Sequence, residues 1–227
     1  MVGVERGEVW SADGHAAVAG AYRPVAAALV DVAHGYVAVG GGTVPVEVAH
    51  RHSGVPGPGW LAVVALVRGD VRRLASDTLE LATAAEVPTP MLGDCVDYVF
   101  LAACLLAGWP VEQAVETVTS APAVSGGPLP PLTGETMPDA LAASVWALTQ
   151  GRSGADVLDA LGEVTTPGVT AAVGGVLGLR DGPAALARER RWPRRRAAEH
   201  AVLVSSLLGA RHHADPVLSA IVAGVPT

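Results

Sequence analysis

A helix built almost wholly from small residues sets the terms for this chain. Thr165-Thr166-Pro167-Gly168-Val169-Thr170 leads into Ala171-Ala172-Val173-Gly174-Gly175-Val176-Leu177-Gly178-Leu179. Thr166 followed by Pro167 joins a capping hydroxyl to a residue whose missing N–H is harmless in a first turn. Helices this rich in Ala and Gly pack closely on their neighbours. The start of this one also offers backbone N–H groups where a carboxylate, a phosphate or a developing enolate can be held without a metal. Ordinary capping is the plainer account of the same feature.

The rest of the chain reads as helical, which makes the expected class all-α. Residues 16–39 are rich in Ala and Val with Pro24 inside, predicting either a kinked helix or a turn into a helix starting near Pro24. Val44, Val46 and Val48 alternate with Pro45, Glu47 and Ala49, a short extended pattern, and residues 53–59 form an irregular Gly/Pro loop. Asp70 is placed to cap a helix over 70–86, and 91–107 is the most apolar helix and the expected centre. A helix follows Pro110, and residues 120–134 make a long Pro/Gly loop of the kind that covers a site. Thr136, Ser153, Thr166 and Asp215 each stand where a later helix should begin.

With 227 residues and half of them apolar, the chain is long enough for one domain spanning 1–227 with a substantial core. Arg supplies all 15 basic residues, Lys and Asn are absent, and Ala, Val and Gly abound, the bias of a GC-rich coding sequence of the actinobacterial type. A formal charge of −7 argues against nucleic acid as a partner, because phosphate neutralisation dominates such binding. No signal-like start is present, and the apolar stretches at 61–67 and 171–179 fall short of the roughly 20 residues that span a bilayer, so a cytoplasmic protein without a membrane partner is expected. Cys95 and Cys104 are nine positions apart on one helix, on opposite sides at about 100° per residue, and read as buried free thiols.

The 165–179 segment, continuing through Gly182-Pro183 to Arg190-Arg191-Trp192, resembles the metal-binding end of ADP-ribosylglycohydrolases. In that family a Gly-Gly-Asp-Thr-Asp-Thr loop opens a small-residue helix, and a Gly-x-x-x-x-Pro turn leads on to a Trp. The likeness runs in the family's order over most of the chain. Residues 137–148 look like the helix before the metal loop, and 82–106 is similar to the region of the family's Thr-His, which here reads Ala84-Ala85. Trp10-Ser11-Ala12-Asp13-Gly14-His15 matches the position of the Thr-Asp-Asp-Thr motif, and the early Gly-Asp-Ala-Leu-Gly segment is missing. The resemblance implies a shortened, compact orthogonal multi-helix bundle. Pro167, Gly168 and Val169 supply none of the anionic oxygens that a hard divalent cation needs, so neither metal nor any other cofactor is expected.

Without metal, chemistry falls to side chains. Asp13 and His15 lie beside Trp10 in the segment that matches the family's site, as a carboxylate and an imidazole able to act as base and acid, or as solvated loop residues. Asp94 and Asp97, three apart on an apolar helix, share a face, either as an acid/base pair facing a pocket or as exposed acids that favour the dipole near the helix start, and Glu163 precedes the altered loop. Thr166, Gly168, Val169 and Thr170, with Trp10, are the candidate substrate contacts. Glu135 sits in the long loop. His50-Arg51-His52 in extended form would turn both rings to one side, yet no third ligand is near, and loop histidines are the simpler reading, as for His212-His213. His34 reads as a core histidine. Arg188, Arg190, Arg191, Arg194, Arg195 and Arg196 form a charge cluster that either docks an anionic carrier or phosphate or is a solvated helix end.

The leading expectation is therefore a metal-independent enzyme that cyclises or dehydrates a small apolar metabolite, free or carrier-bound, as in pyrone-forming polyketide cyclisation of antibiotic biosynthesis. The alternatives are a non-catalytic relative that binds ADP-ribose or a protein, and residual hydrolase activity at an unusual metal site. A homodimer is left open by the sequence.

Overall fold

Helix α5, Leu92–Leu106, is the element on which the others are arranged, and it buries Cys95, Tyr98, Val99, Leu101, Ala102, Cys104 and Leu105. The computed structural model describes residues 12–39, 42–118, 127–133, 136–162 and 165–181. Around α5 stand α1 (Ala12–Ala38), α2 (Val46–His50), α3 (Val63–Val67), α4 (Val71–Ala84), α6 (Val111–Glu116), α7 (Thr136–Thr149), α8 (Gly154–Gly162) and α9 (Pro167–Asp181), with 3-10 turns at Gly59–Ala62 and Thr89–Met91. No strand occurs among the described residues, so the all-α class holds. α5 packs against α3, α4, α6, α7 and α9, and α7 lies along α9 in the most extensive helix pair. Buried apolar residues from Val25 to Leu177 form one continuous core. The stretch Thr89–Leu106 is long and apolar enough to cross a bilayer by length and composition, and here it is packed among the other helices.

Of the helix starts read from the sequence, Asp70, Ser153 and Thr166 carry side-chain caps, Thr136 is the first residue of α7, and Asp215 lies outside the described residues. Asp70 Oδ1 accepts from the Arg72 N–H at 2.8 Å and opens α4. Ser153 opens α8, accepting from the Asp156 N–H at 3.2 Å and donating to Asp156 Oδ2 at 2.8 Å, a reciprocal cap. Thr166 Oγ1 accepts from the Val169 N–H at 3.4 Å at the head of α9. α4 and α5 end alike. Val87 N–H donates to Ala82 O and Glu86 N–H to Thr83 O, while Trp109 N–H donates to Cys104 O and Gly108 N–H to Leu105 O. Both are Schellman closures, with Glu86 at φ 60° and Gly108 at φ 77° in the left-handed position.

Two expectations are corrected. The alternating valines at 44–48 do not extend: Val46–His50 is a short helix, and the residue it buries is Ala49. It docks where α1 carries Gly35, since a Cβ there would meet Pro45 Cβ at 2.6 Å. His34 is exposed rather than in the core. α1 buries Val25, Ala28, Val32 and Tyr36, a stripe of helical period, and position 34 falls about 200° round the axis from 32 and from 36. α1 itself runs unbroken through Pro24.

A polar triad lies inside this apolar frame. Arg68, just past α3, is 5 % exposed and its Nε donates to Asp77 Oδ2 of α4, itself 7 % exposed. Tyr36 of α1 donates its hydroxyl to the same oxygen at 3.3 Å, and the Arg68 guanidinium stands 5.3 Å from the Tyr36 ring centre. Removing Asp77 takes away the carboxylate that Arg68 and Tyr36 share. Asp77→Ala is expected to cost about 3–5 kcal/mol in urea unfolding, and the double change Arg68→Met with Asp77→Leu to recover most of it. Additive losses in the double variant would refute this account.

Candidate functional site

The opening of α9 is where the sequence placed the site, and the chain is folded tightly there. Thr166 is exposed, whereas Gly168, Val169 and Thr170 are buried. Thr165 Oγ1 donates to Leu161 O at 2.9 Å and lies 2.7 Å from Thr170 Oγ1, which also reaches Thr166 O at 3.2 Å. The hydroxyls thus hold one another and the end of α8. A Cβ on Gly168 would sit 2.9 Å from the Pro56 carbonyl carbon and oxygen, and one on Gly57, whose φ is +80°, would sit 2.8 Å from Gly168 O. The Gly/Pro loop before the first 3-10 turn therefore closes backbone to backbone on the head of α9. Side-chain oxygens at 168 and 169 are lacking, and the Thr165 and Thr170 hydroxyls are engaged with each other, so a divalent cation of the kind used by the resembled family does not fit this opening.

The acids lie on the neighbouring helix. Asp94 is in the first turn of α5, Asp97 is one turn on, and both are half-buried. One helical turn beyond Asp94, Tyr98 is fully buried and donates its hydroxyl to Ala172 O at 2.9 Å, tying α5 to the second turn of α9. A Cβ on Gly175 would come within 3.0 Å of that hydroxyl. Burial holds the Tyr98 phenol well above its usual range, so it stays a donor at neutral pH. Tyr36 is raised too, first by burial and then by Asp77. Cys95 points to Met137 with its sulfur 3.7 Å from Sδ, and Cys104 is likewise a buried free thiol.

Of the remaining expected site residues, Asp13 and His15 fall in the first turn of α1. Trp10, Glu163, Glu135, His212, His213 and the 188–196 arginines lie outside the described residues. His50 Nδ1 lies 3.2 Å from Ala84 O, and His52 Nε2 lies 2.9 Å from Asp31 Oδ2, so each fastens the α2 segment to a different helix. Among the described residues no group of three or more His, Cys, Asp or Glu is placed to hold a metal ion. Tyr98 and the Arg68–Asp77–Tyr36 triad escaped the sequence reading. Their partners lie 74, 9 and 41 positions away, and no local pattern marks such pairs.

No family model matches this chain, and neither the curated proteins nor the solved structures contain a match to it.

Two outcomes follow from this geometry. Gly168→Ala forces a Cβ into the Pro56 backbone, which has no flexible side chain to move, and is expected to lose about 1–3 kcal/mol in chemical unfolding. An unchanged midpoint would mean that the loop does not close on α9 as described. The Cys95 thiol is pushed up to about 12, chiefly by burial and then by the Asp94 charge. A thiol raised on folding keeps its stabilising contribution below its unfolded pKa of about 8.5 and loses it as pH climbs towards the folded value. Urea titrations should accordingly show the parent losing stability relative to Cys95→Ala above about pH 8.5, with no such divergence below.

Proposed function

We propose that this chain is a metal-independent enzyme that cyclises or dehydrates a small apolar metabolite by acid/base chemistry on an ADP-ribosylglycohydrolase-like helical scaffold. Closure of a pyrone from a 1,3-diketone chain, free or carrier-bound, is the concrete case. The observation that carries the reading is the pair of half-buried carboxylates, Asp94 and Asp97, on the otherwise apolar helix α5, beside the tyrosine that anchors α5 to α9. Carboxylates held in partly apolar surroundings are groups able to serve as general acid and base.

In this mechanism one carboxylate removes the proton between the two carbonyls and gives the enolate. The enolate oxygen attacks a third carbonyl farther along the chain, whose oxygen takes up that proton to become a hemiketal hydroxyl. The base then removes a second C–H proton while the protonated carboxyl gives its proton to the departing hydroxyl, so the two protons taken from carbon leave in the water. Each C–H electron pair becomes a ring C=C bond, the enolate oxygen supplies the pair for the ring C–O bond, the departing hydroxyl takes the pair of the C–O bond that breaks, and no oxidant or reductant is needed. The apolar walls fold the substrate into the attacking geometry. The substrate would be met in the cytoplasm, with no cofactor taking part.

The test is turnover of a synthetic triketide-type diketone by the purified chain. Asp94→Asn and Asp97→Asn are each expected to lower kcat by about 10²–10⁴-fold while leaving the melting temperature close to the parent's. Full turnover in both variants would remove these carboxylates from the chemistry. Calorimetric binding of ADP-ribose in the absence of magnesium would instead favour the non-catalytic, ADP-ribose-binding alternative.

A further inference from the structure

We propose that residues 127–133 form a docking strap that presents two prolines, Pro128 and Pro131, to a partner domain whose groove is lined by aromatic side chains. The segment reads Gly-Pro-Leu-Pro-Pro-Leu-Thr. Each proline fixes its own φ near −65° and drives the residue before it towards extended backbone, so Gly127, Leu129 and Pro130 are constrained as well. Such a run favours the polyproline II helix, with three residues per turn. Positions 128 and 131 then share one edge and positions 129 and 132 another.

The exposure follows that period. Pro128 and Pro131 are exposed, while Leu129 and Leu132 are half-buried, and Leu129 packs on the core. Both ends are tied down. Gly127 O accepts from Trp146 Nε1 of α7 at 2.9 Å and from Gln150 Nε2, just past the end of α7, at 3.5 Å. At the other end Thr133 donates its N–H and its hydroxyl to Asp139 Oδ1 at 2.8 and 2.9 Å. The leucine edge is thereby turned to the protein and the proline edge to solvent, already ordered before any partner arrives. Proline pairs at this spacing are what aromatic-lined grooves bind, and prior ordering lowers the entropy lost on docking. No Arg or Lys lies within the strap, so the fitting groove recognises proline rings rather than a basic flank.

The experiment measures the immobilised full chain against a panel of isolated SH3, WW and related proline-binding domains by biolayer interferometry. At least one domain is expected to bind, and Pro128→Ala with Pro131→Ala to weaken it by at least about tenfold while circular dichroism shows an unchanged melt. A synthetic peptide of residues 127–133 should displace the same domain from the unmodified chain, a readout independent of variant folding. Trp146→Phe, which removes the donor to Gly127 and leaves both prolines, should weaken binding by a smaller factor, because the docking-competent strap is then less populated. The proposal is overturned if no domain binds, if the double variant binds like the parent, or if the peptide binds a domain that the full chain does not.

Discussion

Everything near the candidate site depends on one approach of backbone to backbone. Gly57 and Gly168 face each other without side chains, and a Cβ on either would meet main-chain atoms of the other segment at under 3.0 Å. Dispersion gains per atom are small, but they require contact, and only residues this short let the Pro56–Gly57 loop reach the head of α9. The same economy of side chains runs down the helix. Gly59 sits over Ala172, with a Cβ position 3.4 Å from its Cα, and Gly175 clears the Tyr98 hydroxyl. α9 can therefore be gripped by the loop on one side and by α5 on another. Its small residues serve as much to admit neighbours as to form a helix, for which Gly is a poor choice.

Polar groups inside this frame follow a second logic. The Arg68–Asp77 pair with the Tyr36 hydroxyl joins α1, α4 and the end of α3 by charge and hydrogen bonding where van der Waals contact alone would tolerate other arrangements. A buried pair is weak support for net stability, because desolvation offsets most of the attraction; what it penalises strongly is any packing that separates the partners. Elsewhere the core is less careful. Trp60 Nε1 and Ser144 Oγ are buried with no hydrogen-bond partner among the described residues, which by itself would forgo about 1–3 kcal/mol each. Such sites are where a polar atom costs stability without specifying geometry.

What the sequence makes legible divides along the same line. Helix starts are local, so Asp70, Ser153 and Thr166 announce α4, α8 and α9 by side chains that cap within three residues. The centrality of α5 is visible because its apolar content needs burial on several sides at once. Alternating valines at 44–48 mislead, since five residues satisfy a period of two and a short helix equally, and docking on Gly35 decides between them. His34 misleads because its neighbours in sequence are apolar while its neighbours around the helix are not the buried stripe. For the site, the pairing of Asp94 with Asp97 on one face can be read directly; that Tyr98 links this helix to Ala172 cannot, because the contact is fixed by the packing of two whole helices.

The Cys95 thiol gives a physical reason for looking to α5 rather than to the head of α9 for reactivity. Asp94 is close enough to that buried sulfur for its negative charge to oppose thiolate formation. Burial is the larger cause of that shift, and the Asp94 charge adds to it. The hydroxyls of Thr165 and Thr170, by contrast, are spent on each other and on backbone carbonyls. Of the two regions, the start of α5 is the one that carries carboxylates, the kind of group acid/base turnover requires.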